Sequence, residues 1–312
     1  MAVVSVCIPT FNYARFLPDA IASVSRQTFG DFELIVIDNG STDGTDRVVA
    51  GFARREPRLR YFQNARNLGM CGNFNRALEL ASGEYVKILC ADDWLAPSAL
   101  ERSVAALAQH PQGALVTTGR LLVSEAREPL GVERYCGKAR VVSGHAVINR
   151  CLFGANYVGE PSAVTFRRAL AVRGFDERYS QLLDLEMWIR LLERGALICL
   201  PEPLTMIRLH DAQTTRTNAG AGRIVEDRKR LFALYGAKPY VAKNRWNVFV
   251  WRLRTAYGLW RAARGGDAGG GHTPGEFIPP AVFYLLLPAM VVLEGARNMA
   301  RRLRSLRMQA LD

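Results

Sequence analysis

The sequence predicts an α/β fold, a mostly parallel sheet with helices on both faces. Three observations carry that expectation. Apolar, β-branched runs alternate with segments in which apolar residues recur at three and four spacing. The runs are nearly continuous in hydrophobicity, as strands covered on both faces are. Polar, turn-forming residues gather directly after them, where an open parallel sheet places its ligands.

The first strand is VVSVCI (3–8), followed by Pro9-Thr10-Phe11-Asn12 and a helix at about 14–26. The second, FELIVI (32–37), runs into Asp38-Asn39-Gly40-Ser41-Thr42-Asp43-Gly44, turn chemistry in which Ser41 or Thr42 can cap the helix at about 43–54. LRYF (59–62) precedes a helix at about 72–82. EYVKIL (84–89) ends in Cys90-Ala91-Asp92-Asp93 before a helix at about 97–109, and ALVTTG (114–119) is the fifth run. Further on, a helix at about 182–194 carries Leu182, Leu183, Trp188, Ile189, Leu191 and Leu192 on its apolar side. LTMIRLH then reads as a strand with Arg208 and His210 on one face.

With 312 residues, 49% hydrophobic and 22% charged, the chain can bury a core, which excludes disorder, collagen-like repeats and a polytopic membrane protein. The balance of 41 basic to 29 acidic side chains is uneven: residues 1–222 hold 25 and 23, residues 223–312 hold 16 and 6. The expected division is a domain over 1–222, an amphipathic helical extension over 223–264, a glycine-rich linker over 265–276, and an apolar then basic segment over 277–312. Six cysteines without a CxxC pair read as reduced thiols, not a disulfide framework or a zinc site. The opening residues lack a basic n-region and are too short for a signal h-region, so a cytoplasmic body is expected.

The segments VSVCIPTFN, VIDNGSTDGT, NLGMCGNFN and GEYVKILCADDWLAP, in that order, resemble the inverting family 2 glycosyltransferases of the GT-A fold, over residues 3 to about 215. Such enzymes open with VSVIIPTYN, end the second strand in DDGSTDGT, and carry Asp-x-Asp-Asp near the fourth strand. Here Asn39 stands for the second Asp of the turn and Cys90 for the first Asp of the later motif. Asn67, Gly69 and Asn75 keep the expected Asn-x-Gly then Asn spacing.

A nucleotide diphosphate sugar needs a base clamp, hydroxyl acceptors and a divalent cation. Asp38, at a strand end, suits the imide edge of a base, with Pro9 and Thr10 lining the same groove; Asn12 and Asn67 complete the donor-binding set the resemblance implies. Asp92 and Asp93 are consecutive carboxylates whose repulsion favours Mg²⁺ or Mn²⁺, the competing reading being a helix cap before Pro97. The resemblance places the general base at Asp184, with Leu183 where a Glu is expected; a carboxylate there can take the acceptor proton. Glu186, two positions on, points about 200° away on a helix, so both cannot face one groove. Arg208 would neutralise leaving-group charge, and His210 would complete the metal shell or bind phosphate. Acceptor recognition is expected at roughly 120–180, including Glu160, Pro161 and Ser162, with Trp94, Tyr157 and Trp188 able to stack on sugars.

In the tail, Trp246, Phe249, Val250, Leu253, Tyr257 and Trp260 recur at three and four spacing on an arginine-rich helix. A break at 265–271, an apolar stretch at 277–293 holding three prolines, and a basic stretch at 296–308 follow. The apolar stretch is marginal for spanning, and arginines alternating with a continuous apolar face suit an anionic membrane surface better than nucleic acid. The expected function is metal-dependent, inverting transfer from a nucleotide diphosphate sugar to a hydroxyl of a glycan or lipid-linked acceptor, in surface polysaccharide assembly at the inner face of the cell membrane. The rivals are transfer to polyprenyl phosphate and a non-catalytic sugar-binding scaffold, the latter raised by Cys90 and Leu183.

Overall fold

The computed structural model describes residues 2–211, 213, 221–264 and 269–309. The first half of the chain builds β1 (Val4–Thr10), α1 (Leu17–Ser25), β2 (Phe32–Asp38), α2 (Thr45–Ala53), β3 (Leu59–Gln63), α3 (Gly69–Leu80), β4 (Tyr85–Ile88), a short β5 (Trp94–Leu95), α4 (Ala99–Gln109) and β6 (Gly113–Ser124). There follow β7 (Pro129–Glu133), β8 (Arg140–Val142), α5 (Gly144–Leu152), β9 (Val164–Arg167), α6 (Leu183–Leu192) and β10 (Ala196–Leu209). Three helices close the chain: α7 (Ala221–Tyr235), α8 (Arg245–Arg264) and α9 (Pro280–Gln309).

The sheet runs β3-β2-β1-β4-β9-β6-β10-β5, with β7 beside β6 and β8 beside β10. β1, β2, β3 and β4 are parallel, and so are β6 and β10. β9 pairs antiparallel with both β4 and β6, so these two run the same way and β9 alone is inverted between them. The sheet is therefore mostly parallel, and the ends of β1, β2 and β4 that carry the polar motifs lie on one edge. Sequence pattern misses β5, β7, β8, β9 and α5. The predicted strand at 204–210 is only the end of β10, which is irregular between Leu200 and Thr205.

Alternation along the buried strands makes two cores. Val4, Val6 and Ile8 face α1 and α4, while Cys7, Ile35 and Ile37 face α3, α5 and α6. The second core continues into the C-terminal helices through Val225, Trp251, Leu259, Phe277 and Phe283. Helix α8 lies where the pattern expects it, yet its buried residues are Trp251, Thr255, Ala256 and Leu259, and Trp246 is 69% exposed. The helix packs against both α7 and α9, so burial is centred away from the stripe that periodicity picks out. Residues 265–268 of the predicted break lie outside the described residues. The apolar and basic stretches join in one helix, α9, with Pro288 inside it. Among the described residues no helix is long and apolar enough to cross a membrane. All six cysteines are free; Cys7, Cys151 and Cys199 are buried.

Candidate active site

The loops after β1 and β2 are laced together. Asn12 adopts a left-handed backbone (φ 55°), a conformation Asn tolerates. Its N–H donates to Ser41 Oγ (2.8 Å), and its Oδ1 accepts from the Thr42 N–H (2.9 Å). Asp43 accepts from the Ala14 N–H and from both the N–H and hydroxyl of Thr45. Neither Ser41 nor Thr42 caps α2, contrary to expectation: the helix starts later, after a left-handed Gly44, and Asp43 meets its first N–H.

Asp38 is fully buried at the end of β2. Its Oδ1 accepts from the Ser41 N–H (2.9 Å), and its Oδ2 accepts from Tyr61 Oη (2.7 Å) and Gln63 Nε2 (3.2 Å). Burial and the Asp38 carboxylate together raise the Tyr61 hydroxyl far above its ordinary value. Asn39, where the family pattern has Asp, uses its amide as a hub. It accepts from Asn64 Nδ2 and the Leu68 N–H, and donates to Asn67 Oδ1 (2.8 Å) and Gly69 O. A carboxylate could not donate those two bonds. Asn73 reaches the carbonyls of Ile37 and Thr10, while Asn75 holds the backbone of Phe175, away from this cluster. Pro9 is buried in β1, and next to it Thr10 Oγ1 is buried without a hydrogen-bond partner among the described residues.

After β4 stands the acidic pair. Asp92 Oδ2 meets His210 Nε2 at 3.0 Å, and the imidazole packs against Phe16 and Tyr13 with ring centroids at 4.6 and 5.7 Å. His210 Nδ1 is buried and has no hydrogen-bond partner among the described residues. Asp93 accepts from Ser162 Oγ (2.6 Å) and from the Arg208 N–H (3.1 Å). Burial, then the charge of Asp92, holds the Asp93 carboxyl well above the usual carboxylate range despite those bonds. Neither Asp caps α4; its N-cap is Ser98 and the Leu100 N–H goes to Gln27. Beneath them, burial pushes the Lys87 ammonium down to about 7, with Asp93 acting in the opposite sense. The ligand atoms of Cys90, Asp92 and Asp93 lie within 4.8 Å of one another. Two crowded carboxylates beside an imidazole fit a divalent cation that favours oxygen and nitrogen ligands; the Cys90 thiol is the odd member.

Arg208 lies near the end of β10. Its guanidinium is buried and engaged by the protein: Nη2 with Asp19 (2.6 Å), Nε with Asp92 O, Nη1 with Glu125 O, and the plane lies over Phe16 and Trp94. These contacts tie Arg208 to the Asp92–Asp93 loop.

Asp184 lies in the first turn of α6. Its Oδ2 accepts from Asn156 Nδ2 (2.8 Å) and its Oδ1 from the Leu185 N–H (2.7 Å). Burial pushes its carboxyl up to about 7, with the charge of Glu160 adding to the rise. Glu186 faces elsewhere, as helical geometry requires, and is taken up by Arg190 (2.8 Å) and Tyr235 Oη (3.0 Å). Trp188 is fully buried against Phe166 and Phe175 and donates to Gly159 O, so it is a core residue and not a sugar platform. Gly159 sits at φ +117°, and a Cβ there would lie 2.7 Å from Arg120 Nη1, which ion-pairs with Glu160. Sequence reasoning missed Ser162 as the partner of Asp93, Asn156 as the partner of Asp184, and Asp19. Ser162 and Asn156 lay in the stretch expected to recognise the acceptor; Asp19 did not.

The family model described as glycosyl transferase family 2 covers residues 5–170, more than half of the chain. An uncharacterised protein of Mycobacterium tuberculosis is 30% identical over 82% of this chain and 80% of its own length. A PGL/p-HBAD biosynthesis glycosyltransferase of Mycobacterium bovis is 31% identical over 62% of this chain and 71% of its own. Among solved structures, S. aureus TarS 1–349 in complex with UDP-GlcNAc is similar with a TM-score of 0.65 at 18% identity, covering 84% of this chain and 74% of that one. The mannosyltransferase PcManGT of Pyrobaculum calidifontis, in complex with GDP-Man and Mn²⁺, gives 0.63 at 20% identity, covering 99% and 86%. Strand order, loop chemistry and the family match agree: the chain belongs to glycosyl transferase family 2.

Proposed function

We propose that this glycosyltransferase moves a sugar from a nucleotide diphosphate sugar to a hydroxyl of a glycan or lipid-linked acceptor, inverting the anomeric centre, in surface polysaccharide biosynthesis at the inner face of the cell membrane. The observation that supports the reading best is Asp184, a carboxyl raised to about 7 by burial, which feels the charge of Glu160 as does Asp93 of the Asp92–Asp93–His210 cluster. Asp38, with Pro9, Thr10, Asn12 and Asn67, forms the base and ribose end, where Tyr61 and Gln63 exchange their bonds to Asp38 for those of the base. Asp92, Asp93 and His210 would hold Mg²⁺ or Mn²⁺, which when bound stabilises charge on the departing diphosphate. Asp184 takes the proton of the attacking hydroxyl, and Asn156 keeps its carboxylate aimed. The nucleotide sugars held by TarS and PcManGT support the donor class. Exposed Tyr284, Leu285, Val292 and Leu293 on α9, in a tail rich in arginine, support contact with a membrane surface. The catalytic unit is assigned to 1–222 and the membrane-facing part to 277–312.

Incubation of the full chain with Mn²⁺, a panel of nucleotide diphosphate sugars and candidate acceptors tests this. Acceptor-dependent release of nucleoside diphosphate, lost with EDTA and restored by Mn²⁺, with the product anomer opposite to the donor, is expected. Retention of the anomeric configuration, or no release with any donor, overturns it.

A further inference from the structure

Next to Asp184 lies a cluster of arginines that the catalytic scheme does not use. Arg254 on α8 donates to Tyr157 Oη (2.7 Å), and Arg150 on α5 lies over the rings of Tyr157 and Tyr135, 4.6 Å from each. Arg228 on α7 lines a small cavity with Cys151, Asn156, Leu182 and Leu185. Asn156 is the residue that donates to Asp184, so the cavity backs onto the proposed base. Among the described residues no carboxylate pairs with the half-buried Arg228 and Arg254 or with the exposed Arg150, although the deeply set Arg120, Arg190 and Arg208 each have one. Burial, and behind it the charge of Arg254, lowers the proton affinity of Arg228. Like charges gathered without a counter-ion cost stability and point to an anion supplied from outside.

The same helix leads away from the cluster. Arg254, Tyr257, Arg261 and Arg264 follow one another at three and four spacing on one face of α8. One turn beyond Arg254, Tyr257 and Trp260 form one wall of a groove of about 820 Å³ whose other wall is Leu287, Pro288, Val291 and Val292 of α9. Glu294 holds the two helices together through Tyr257 Oη (2.5 Å) and Arg261. An apolar trough that begins beside unpaired cations matches an anionic head on a hydrocarbon chain. Helix α9 also packs on β7, whose Glu133 pairs with Arg120, a guanidinium that feels the charge of Asp184.

We infer that Arg228 and Arg254 bind the phosphate of a lipid-linked acceptor, with its hydrocarbon chain in the groove between α8 and α9. The acceptor is then a sugar carried on a lipid phosphate, its hydroxyl at Asp184 and its phosphate at the arginines. The cavity at Arg228, about 20 Å³ as it stands, has room for one water, so the Arg228 side chain swings to admit the phosphate. This inference depends on the proposed transfer to a hydroxyl acceptor and narrows it to one acceptor class.

Binding of farnesyl phosphate, farnesol and inorganic pyrophosphate to the full chain, measured by thermal shift and titration calorimetry, tests it. Farnesyl phosphate should bind at least tenfold more tightly than farnesol or pyrophosphate. Arg228→Gln with Arg254→Gln should weaken it about tenfold or more, the loss typical of charge-assisted bonds, while Arg228→Lys with Arg254→Lys retains most of it. Val291→Asp should weaken farnesyl phosphate and leave pyrophosphate unaffected. Without ligand, the double Gln variant should melt no lower than the wild type, because it removes repulsion; a merely structural pair would melt lower. Equal binding of farnesyl phosphate by wild type and double Gln variant, or equal binding of farnesol, overturns the inference. Binding of UDP with Mn²⁺ is the control: failure there in the wild type sinks the transferase reading, whereas intact UDP binding with indifferent arginines sinks only the lipid phosphate.

Discussion

The loops at the ends of β1 and β2 and the helical layer around Asp184 treat polar groups in opposite ways. At the first, Asn12, Asp38, Asn39 and Asn67 are tied to one another and to the backbone. In the second, three arginines lack carboxylate partners among the described residues, Asp184 is held at a raised pKa, and apolar side chains of α9 stay exposed. In the proposed reading the loop cage meets a nucleoside diphosphate, common chemistry for which it is preorganised. An acceptor is particular to each enzyme, and the groups that would meet it are left unmatched until it arrives. Stability is held at one end and strain at the other.

The change with the largest expected effect separates catalysis from architecture on α6. Asp184→Asn should lower kcat by about 10²–10⁴ with little change in donor KM, the usual worth of a positioned base. In the wild type, kcat/KM should rise with pH through about 7 as Asp184 loses its proton. Linkage has the opposite sign. A carboxyl raised in the folded state binds more protons there than when unfolded, so its contribution falls as pH rises from about 4 to about 7. Asp184→Asn should therefore melt higher than wild type at pH 8, on the order of 2–4 °C. A variant that melts lower and keeps its rate would reverse the roles assigned to the two regions.

Glu186→Gln, two positions away, should do the reverse. It leaves buried Arg190 without its counter-charge, costs about 3 kcal/mol by denaturant titration, and leaves the kcat of the folded fraction within about twofold. Ser162→Ala removes a bond to Asp93 and one from the Cys90 N–H. Activity should drop about tenfold, and higher Mn²⁺ should recover part of it, since a buried hydrogen bond is worth about 1–3 kcal/mol. The smallest effect is expected at the membrane face. Leu285→Asp with Leu293→Asp, at positions 79% and 64% exposed, should reduce pelleting with anionic vesicles several-fold and leave melting unchanged. Equal pelleting would mean that α9 does not meet the bilayer.

The parallel half of the sheet was readable because its signals are local. Burial on both faces leaves continuous apolar runs, and the residues after them must turn. The inverted β9 and the short β5, β7 and β8 were not readable, because pairing with distant strands, not their own composition, makes them strands. Asp38, Asp92, Asp93 and Asp184 could be named from sequence. That Arg208 turns inward to Asp19, 189 residues away, could not.

Residue order and period alone settle the α/β class, the edge of the sheet that carries the polar motifs, and the amphipathic tail, since each follows from neighbours three or four positions apart. Folding decides the rest. It brings Ser162 to Asp93 across 69 residues, hands Glu186 to Tyr235 across 49, and gathers Arg228, Arg254 and Tyr157 beside the proposed base. Those contacts depend on which surfaces pack together, and packing leaves no trace in any short stretch of chain.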